Sequence, residues 1–155
     1  MAIETFEKIL GEHPFFKDLE ASHLATLVGC ASNVKFEAGE FVFREGQPAE
    51  RFFIVRHGQV AVETFIPGRG AITLETVQDG EVLGWSWLFA PFKWHFDARA
   101  VTLVRALALD GTCLRGKCEQ DPALGYEIMK RFAEVAIRHM EASHLVLVDL
   151  YGNQP

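Results

Sequence analysis

FEAGEFVFREGQPAERFFIVRHGQVAVE, residues 36–63, decides the fold class. Short runs rich in Val, Ile and Phe alternate with glycine turns at Ala38-Gly39-Glu40, Glu45-Gly46-Gln47 and His57-Gly58-Gln59. Glycine supplies the positive φ that tight turns need. In the last run Val60, Val62 and Thr64 alternate with Ala61, Glu63 and Phe65. That period of two is the signature of a strand with one buried face.

The same texture extends from residue 34 to residue 110. Further turns fall at Pro67 to Gly70 and at Asp79-Gly80-Glu81. The runs predict strands at 41–44, 51–56, 59–65, 71–77, 81–84, 95–101 and 103–109. Turn signals at a spacing of roughly 8–12 residues describe an antiparallel sandwich or barrel.

Both flanks read as helix. In residues 3–29, Ile3, Phe6, Ile9 and Leu10 share one face, and Leu24, Leu27 and Val28 form another. Gly11 to Pro14 separates the two, and Asp18 or Ser22 is the expected cap of the second. Near the other end, Asp121-Pro122 places an N-cap ahead of a first-turn proline. No breaker follows until Gly152. The expected helix of about 28 residues is ~42 Å long.

With 155 residues, the chain has the length of one domain. Its expected parts are an N-terminal helical segment (1–33), a β-roll (34–110), and a hinge with a long helix (111–152). Apolar residues make up 49% of the chain, enough for a real core. Net charge is −6, so direct nucleic-acid binding by this chain is not expected. Cys30, Cys113 and Cys118 form no C-x-x-C pair. A disulfide framework is therefore not expected, and a reducing compartment is. MAIETFEKIL has no charged-then-apolar signal pattern, and no run of about 18 apolar residues could span a membrane. The expected localisation is cytoplasmic.

Catalytic motifs are missing. There is no Gly-x-Ser-x-Gly, P-loop or dinucleotide fingerprint. Metal-binding cupin enzymes share the β-roll architecture but need clustered imidazoles. The six histidines here are scattered and show no H-x-H or H-E-x-x-H spacing. No enzyme activity, catalytic residue or metal site is expected.

On the long helix, Met129, Phe132, Ala136, Met140, Ser143, Leu147 and Leu150 recur every three or four residues. Such a stripe suits either the roll's own surface or a helix from a second copy. The later turns, HLVLVDLY, extend beyond a roll of this size, and exposed apolar surface is unfavourable. A two-fold helix pair is the expected arrangement, with Phe132, Ala136, Met140, Ser143 and Leu147 at a homodimer interface. A core helix that folds back is the alternative.

Residues 80–100, GEVLGWSWLFAPFKWHFDARA, run from a Gly-Glu pair through a short aromatic turn into a new strand. Together with HPFFKDLEASHLATL, the 36–63 stretch and DPALGYEIMKRFAEVAIRHME, this segment resembles the cyclic-nucleotide-binding domain. More specifically, the order resembles the sensor half of the catabolite-activator/Fnr regulator superfamily over about residues 10–145. The resemblance implies a double-stranded β-helix (β-roll or jelly roll) of about eight strands. It is mainly β, with N-terminal helices and a long C-terminal helix. It also implies a non-catalytic sensing domain that signals through its phosphate-binding cassette and C-terminal helix.

In that family a short helix after the Gly-Glu pair points backbone N–H groups at a cyclic phosphate. The glutamate accepts from the ribose hydroxyl, and an arginine in an Arg-Ser/Thr-Ala triplet pairs with the phosphate. The resemblance carries Gly80 and Glu81 onto the pair, with Leu83, Gly84, Trp85 and Ser86 completing the outward arm. Trp94 and His95 stand on the returning arm, where Trp94-His95-Phe96 replaces the triplet. The cassette also reads one residue longer than the family's. The implied ligand is cyclic AMP, cyclic GMP or another small anion. Here the residues leave alternatives open. Trp94 either lines the pocket or fills it, and Lys93 and His95 either contact an anion or face solvent. Arg99 either contacts ligand or pairs with Asp97 or Glu81. The corresponding functional alternative is a ligand-free dimerisation or protein-interaction module with a closed pocket. No helix-turn-helix and no iron–sulfur cysteine cluster of the superfamily is visible.

Overall fold

The computed structural model describes residues 8–152. Eight strands form two four-stranded antiparallel sheets: β1 (Ala31–Phe36), β2 (Phe41–Phe43), β3 (Arg51–His57), β4 (Val60–Ile66), β5 (Gly70–Val77), β6 (Val82–Leu83), β7 (Asp97–Ala100) and β8 (Val104–Asp110). The strand orders are β1-β8-β3-β6 and β2-β7-β4-β5. Helices are α1 (Ala21–Val28), α2 (Gly111–Gln120) and α3 (Pro122–Gly152), with 3-10 turns at Pro14–Phe16 and Ser86–Leu88. The expected jelly roll with flanking helices is the fold observed.

The strand β3 explains how the layers meet. Phe52, Phe53, Ile54 and Val55 are all buried, because both faces of this central strand are covered. Phe53 points into the roll, where its ring lies 6.0 Å from Phe36 and 6.5 Å from Phe43. Phe52 points outward onto Trp87 and Phe132, each at 5.1 Å. Burying each such ring contributes about 1.5–3 kcal/mol. One strand thus anchors both the roll interior and the long helix.

The sequence-based boundaries shift in four places. The roll begins at Ala31, not residue 34: β1 pairs only with β8 and has an irregular burial pattern, so ASNVKF shows no clean alternation. The segment 111–120, expected as a hinge, is the helix α2. Its two glycines obscure it, but Asp110 caps it by accepting from the Cys113 N–H at 2.9 Å. Gly111 lets its backbone reach Trp87, since a Cβ there would lie 2.9 Å from the Trp87 Cβ. The N-cap of α1 is Glu20, which makes no side-chain cap bond; neither Asp18 nor Ser22 caps it. Ile3 and Phe6 lie outside the described residues.

The helix α3 runs 31 residues, about 46 Å. Asp121 caps it as expected, accepting from the Leu124 N–H at 3.3 Å. Leu124, Ile128 and Phe132 are buried at a spacing of four. Phe132 is therefore corrected from interface residue to core: Phe15, Phe52 and Trp87 of the same chain surround its ring at 5.0–5.4 Å. From Met140 onward the described side chains are exposed, including Leu147 at 49% and Val148 at 65%. Ala136 and Ser143 are exposed as well.

Candidate functional site

The residues expected at the site fall at the two ends of the short strand β6. At its C-terminal end the backbone turns at Gly84 and Trp85 into the 3-10 turn Ser86–Leu88. The pair directly ahead of the short helix is thus Gly84-Trp85. Gly80-Glu81 instead precedes β6, which corrects the expected cassette register. The position next to the helix holds an indole where the family design needs a carboxylate.

The returning arm packs onto that turn. His95 stacks on Trp85 with ring centroids 5.4 Å apart, and its Nδ1 lies 3.1 Å from the Ser86 Oγ. Trp94 is 6% exposed and stacks on Phe43 at 3.7 Å, nearly parallel. The ring edge of Trp94 passes where a Cβ on Gly84 would stand, 2.8 Å away. Gly84 also has φ +96°, so glycine is required there twice over. Backbone bonds from Trp94 N–H to Gln47 O (3.0 Å) and from Gly46 N–H to Trp94 O (2.9 Å) pin the arm to the β2–β3 turn. Leu83 is buried at the roll interior, among Phe36, Val42, Phe53 and Val55.

Neither cationic candidate of the arm reaches this cluster by a bond in the structure. Lys93 is exposed. Arg99 pairs with neither Asp97 nor Glu81: its guanidinium makes two bonds, 3.0 and 3.1 Å, to the buried Glu63 on β4. Asp97 instead accepts from the Glu45 N–H at 2.8 Å. Arg115, which no sequence pattern marks, ties the cassette to α2. It donates to the Trp87 carbonyl and lies over the Phe92 ring at 4.1 Å.

At the N-terminal end of β6, Gly80 and Glu81 line a cavity of about 560 Å³ between the roll, the His13–Asp18 segment and α3. The ring of His13 closes one wall. Its Nδ1 accepts from the Phe15 N–H, so Nε2 carries the proton donated to the Gly80 carbonyl at 2.5 Å. Burial pulls the His13 pKa below its ordinary value, against the opposing pull of that bond. Across the cavity, His139 of α3 bonds Glu75 of β5 at 2.5 Å. That bond raises the His139 pKa despite its burial, and the charges of Glu75 and Glu81 add to the rise. Lys17, Lys130 and Arg138 bring positive charge to the same walls. Arg131 is held by Glu127 and by the Lys17 carbonyl at 2.8 Å.

The structure therefore gathers Gly84, Trp85, Ser86, Trp94 and His95 into one cluster, with His95 on its exposed side, and places Gly80 and Glu81 along a separate, charged cavity. Among the described residues, no group of three or more His, Cys, Asp or Glu side chains could hold a metal ion. Likewise, no described helix is long and apolar enough to cross a membrane.

The family model for the cyclic nucleotide-binding domain matches residues 33–121. A CRP-like cAMP-activated global transcriptional regulator of Mycobacterium tuberculosis is 28% identical over 144 residues, which is 93% of this chain and 62% of the relative. The chain thus spans somewhat under two thirds of that relative's length. The N-terminal domain of a transcriptional regulator from Streptomyces coelicolor A3(2) superposes with a TM-score of 0.68 at 26% identity, covering 87% of this chain and 94% of that one. A cyclic nucleotide-binding domain from Methylobacillus flagellatus shares the fold at a TM-score of 0.77 and 19% identity, covering 95% and 83%.

Proposed function

The chain belongs to the cyclic nucleotide-binding domain family, and on that premise we propose a non-catalytic regulatory domain that senses a small anionic ligand beneath α3. The observation that carries this reading is the cavity of about 560 Å³ between Gly80-Glu81 and the long helix. Its size falls in the range of small-molecule sites, about 300–1,000 Å³. Glu81 can accept from ligand hydroxyls. Lys17 and Arg138 can neutralise a phosphate or carboxylate, while Lys130 is already paired with Glu127 at 3.3 Å. Cyclic AMP and cyclic GMP are the first ligands to test.

Signalling would run through α3. One wall of the cavity belongs to the helix, so a ligand that binds one helix position better than another shifts the balance between them. The shift equals the difference in affinity and no more. The exposed turns from Ala136 onward would convert it into a change at a homodimer interface built from Ala136, Met140, Ser143 and Leu147. Direct nucleic-acid contact is not part of the proposed role.

A second reading, a ligand-free interaction module, is favoured by the filled cassette. Trp94 is buried against Gly84, and Trp85 stands beside the short helix stacked on His95. Calorimetric titration with cyclic AMP and cyclic GMP, against a Glu81→Ala control, separates the two. Saturable binding that Glu81→Ala weakens at least tenfold supports the sensor. Absence of both heat and thermal shift at millimolar nucleotide removes cyclic nucleotides from the reading, and retention of binding in Glu81→Ala removes the cavity.

A further inference from the structure

Two of the three cysteines meet on the side of the roll where α1 and α2 join it. Cys30 follows α1 and is 7% exposed. Cys113 sits in the first turn of α2 and is half-buried. Their sulfurs are 2.6 Å apart, across 83 positions of sequence. Both backbones are held in place independently of the sulfurs. The Cys30 carbonyl accepts from the Asp110 N–H at 2.9 Å, and the Cys113 N–H donates to the Asp110 side chain at 2.9 Å. One residue, Asp110, therefore ties the backbones of both cysteines together. Cys118, on the same helix, makes no contact with either sulfur among the described hydrogen bonds.

We propose that Cys30 and Cys113 are a reversible dithiol–disulfide pair, oxidised by small disulfides of the glutathione class. Packing alone does not need two thiols in register here, and a preset pair lets the chain respond to thiol redox poise in a reducing compartment. Burial, the bond to Cys113 and the nearby Asp110 charge hold the Cys30 thiol up to about 12. Cys30 is thus protonated at neutral pH, and Cys113, nearer to solvent, is the attacking group. The Cys113 thiolate attacks one sulfur of the small disulfide. A mixed disulfide forms on Cys113 and one small thiolate leaves. Cys30 then loses its proton to solvent and attacks the Cys113 sulfur, displacing the second small thiolate, and the two departing thiolates take up the two protons released by Cys113 and Cys30. Two protein S–H bonds are replaced by one protein S–S bond, and one small disulfide becomes two thiols. The crosslink joins the α1–β1 junction to the head of α2, the helix whose Arg115 holds the cassette.

The test equilibrates the chain in glutathione buffers of stepped ratio, stops exchange with acid, alkylates with N-ethylmaleimide in denaturant and measures intact mass and peptide maps. Reduced protein takes up three adducts, one per cysteine. Oxidised protein takes up one, on Cys118, and yields a linked Cys30–Cys113 peptide. Its melting temperature rises by roughly 5 °C or more through closure of a long loop. Cys118→Ser leaves the crosslink intact. Cys30→Ser stops at a glutathione adduct on Cys113, and Cys113→Ser blocks both adduct and crosslink. Three adducts at every ratio, or a crosslink that uses Cys118 or joins two chains, overturns the proposal.

Discussion

The two ends of β6 are only two residues apart, yet they are built on opposite principles. At Gly84-Trp85 the surroundings are aromatic and filled: Trp85 on His95, Trp94 on Phe43, the Trp94 ring against Gly84. At Gly80-Glu81 they are charged and open, with His13, Glu75 and His139 around a cavity. The filled end resembles a protein core and should carry stability. The open end buries little and should carry response. The contrast sets a packed end of one short strand against a solvent-accessible one, and the proposed ligand site lies at the second.

The largest expected effect tests the filled end. Trp94→Ala should cost about 3–5 kcal/mol of unfolding free energy, the usual range for removing a buried aromatic. Glu81→Ala, at an exposed position, should change stability by less than about 0.5 kcal/mol. Urea denaturation of both variants measures the contrast. Equal midpoints would erase the distinction between a structural end and a responsive one.

Gly84→Ala comes next. Its φ of +96° disfavours any side chain, and the new Cβ would meet the Trp94 ring at 2.8 Å. A loss of about 1–3 kcal/mol is expected. The double variant Gly84→Ala with Trp94→Ala should lose less than the sum of the singles, because the clash disappears with the ring. Strict additivity would show that the ring does not set the glycine requirement.

Beyond β6, the contrast repeats along α3. Its first turns are core through Leu124, Ile128 and Phe132, and its last turns expose Met140, Leu147 and Leu150. Met140→Glu should therefore leave the unfolding free energy within about 0.5 kcal/mol of wild type. In sedimentation it should shift a dimer to monomer if the exposed turns pair two copies. Identical monomer profiles for both proteins would remove the helix pair.

How much of this was legible in the sequence follows the same division. The roll was readable because Gly39, Gly46 and Gly58 punctuate apolar runs whose alternation matches strand geometry. The long helix was readable from Asp121-Pro122 and the absence of a breaker. The edge strand β1 was not, since Ala31, Ser32 and Asn33 lack apolar alternation and lean on β8 alone. The cassette register was misplaced because Gly80 and Gly84 offer two starts, and the residue that would choose between them is a tryptophan. The Arg99–Glu63 pair needs the register that sets Ala61 opposite Arg99, which comes from sheet pairing and not from spacing along the chain. Arg115 and the cavity wall were invisible for the same reason: both depend on how α2 and α3 dock.

The smallest expected effect is the dependence of the open end on pH. Its two histidines should move in opposite directions. The His139 pKa is raised above the ordinary histidine value of 6.5, chiefly by its bond to Glu75. A group raised on folding contributes stability fully below the unfolded value and loses it as pH rises through the folded value. The contact between α3 and β5 should therefore be strongest between about pH 5 and 6.5 and weaken above that. His13 is lowered, chiefly by burial, so protonating it works against the folded state as pH falls below 6.5. Proton NMR of the imidazoles should give a His139 midpoint above 6.5 and a His13 midpoint below it. Glu75→Gln should bring the His139 midpoint down while leaving His13 where it was, because the two rings bond to different elements, β5 and the Gly80 turn. If both midpoints moved together, the cavity walls would be coupled more tightly than the separate bonds imply. The open end would then respond to protons as one unit.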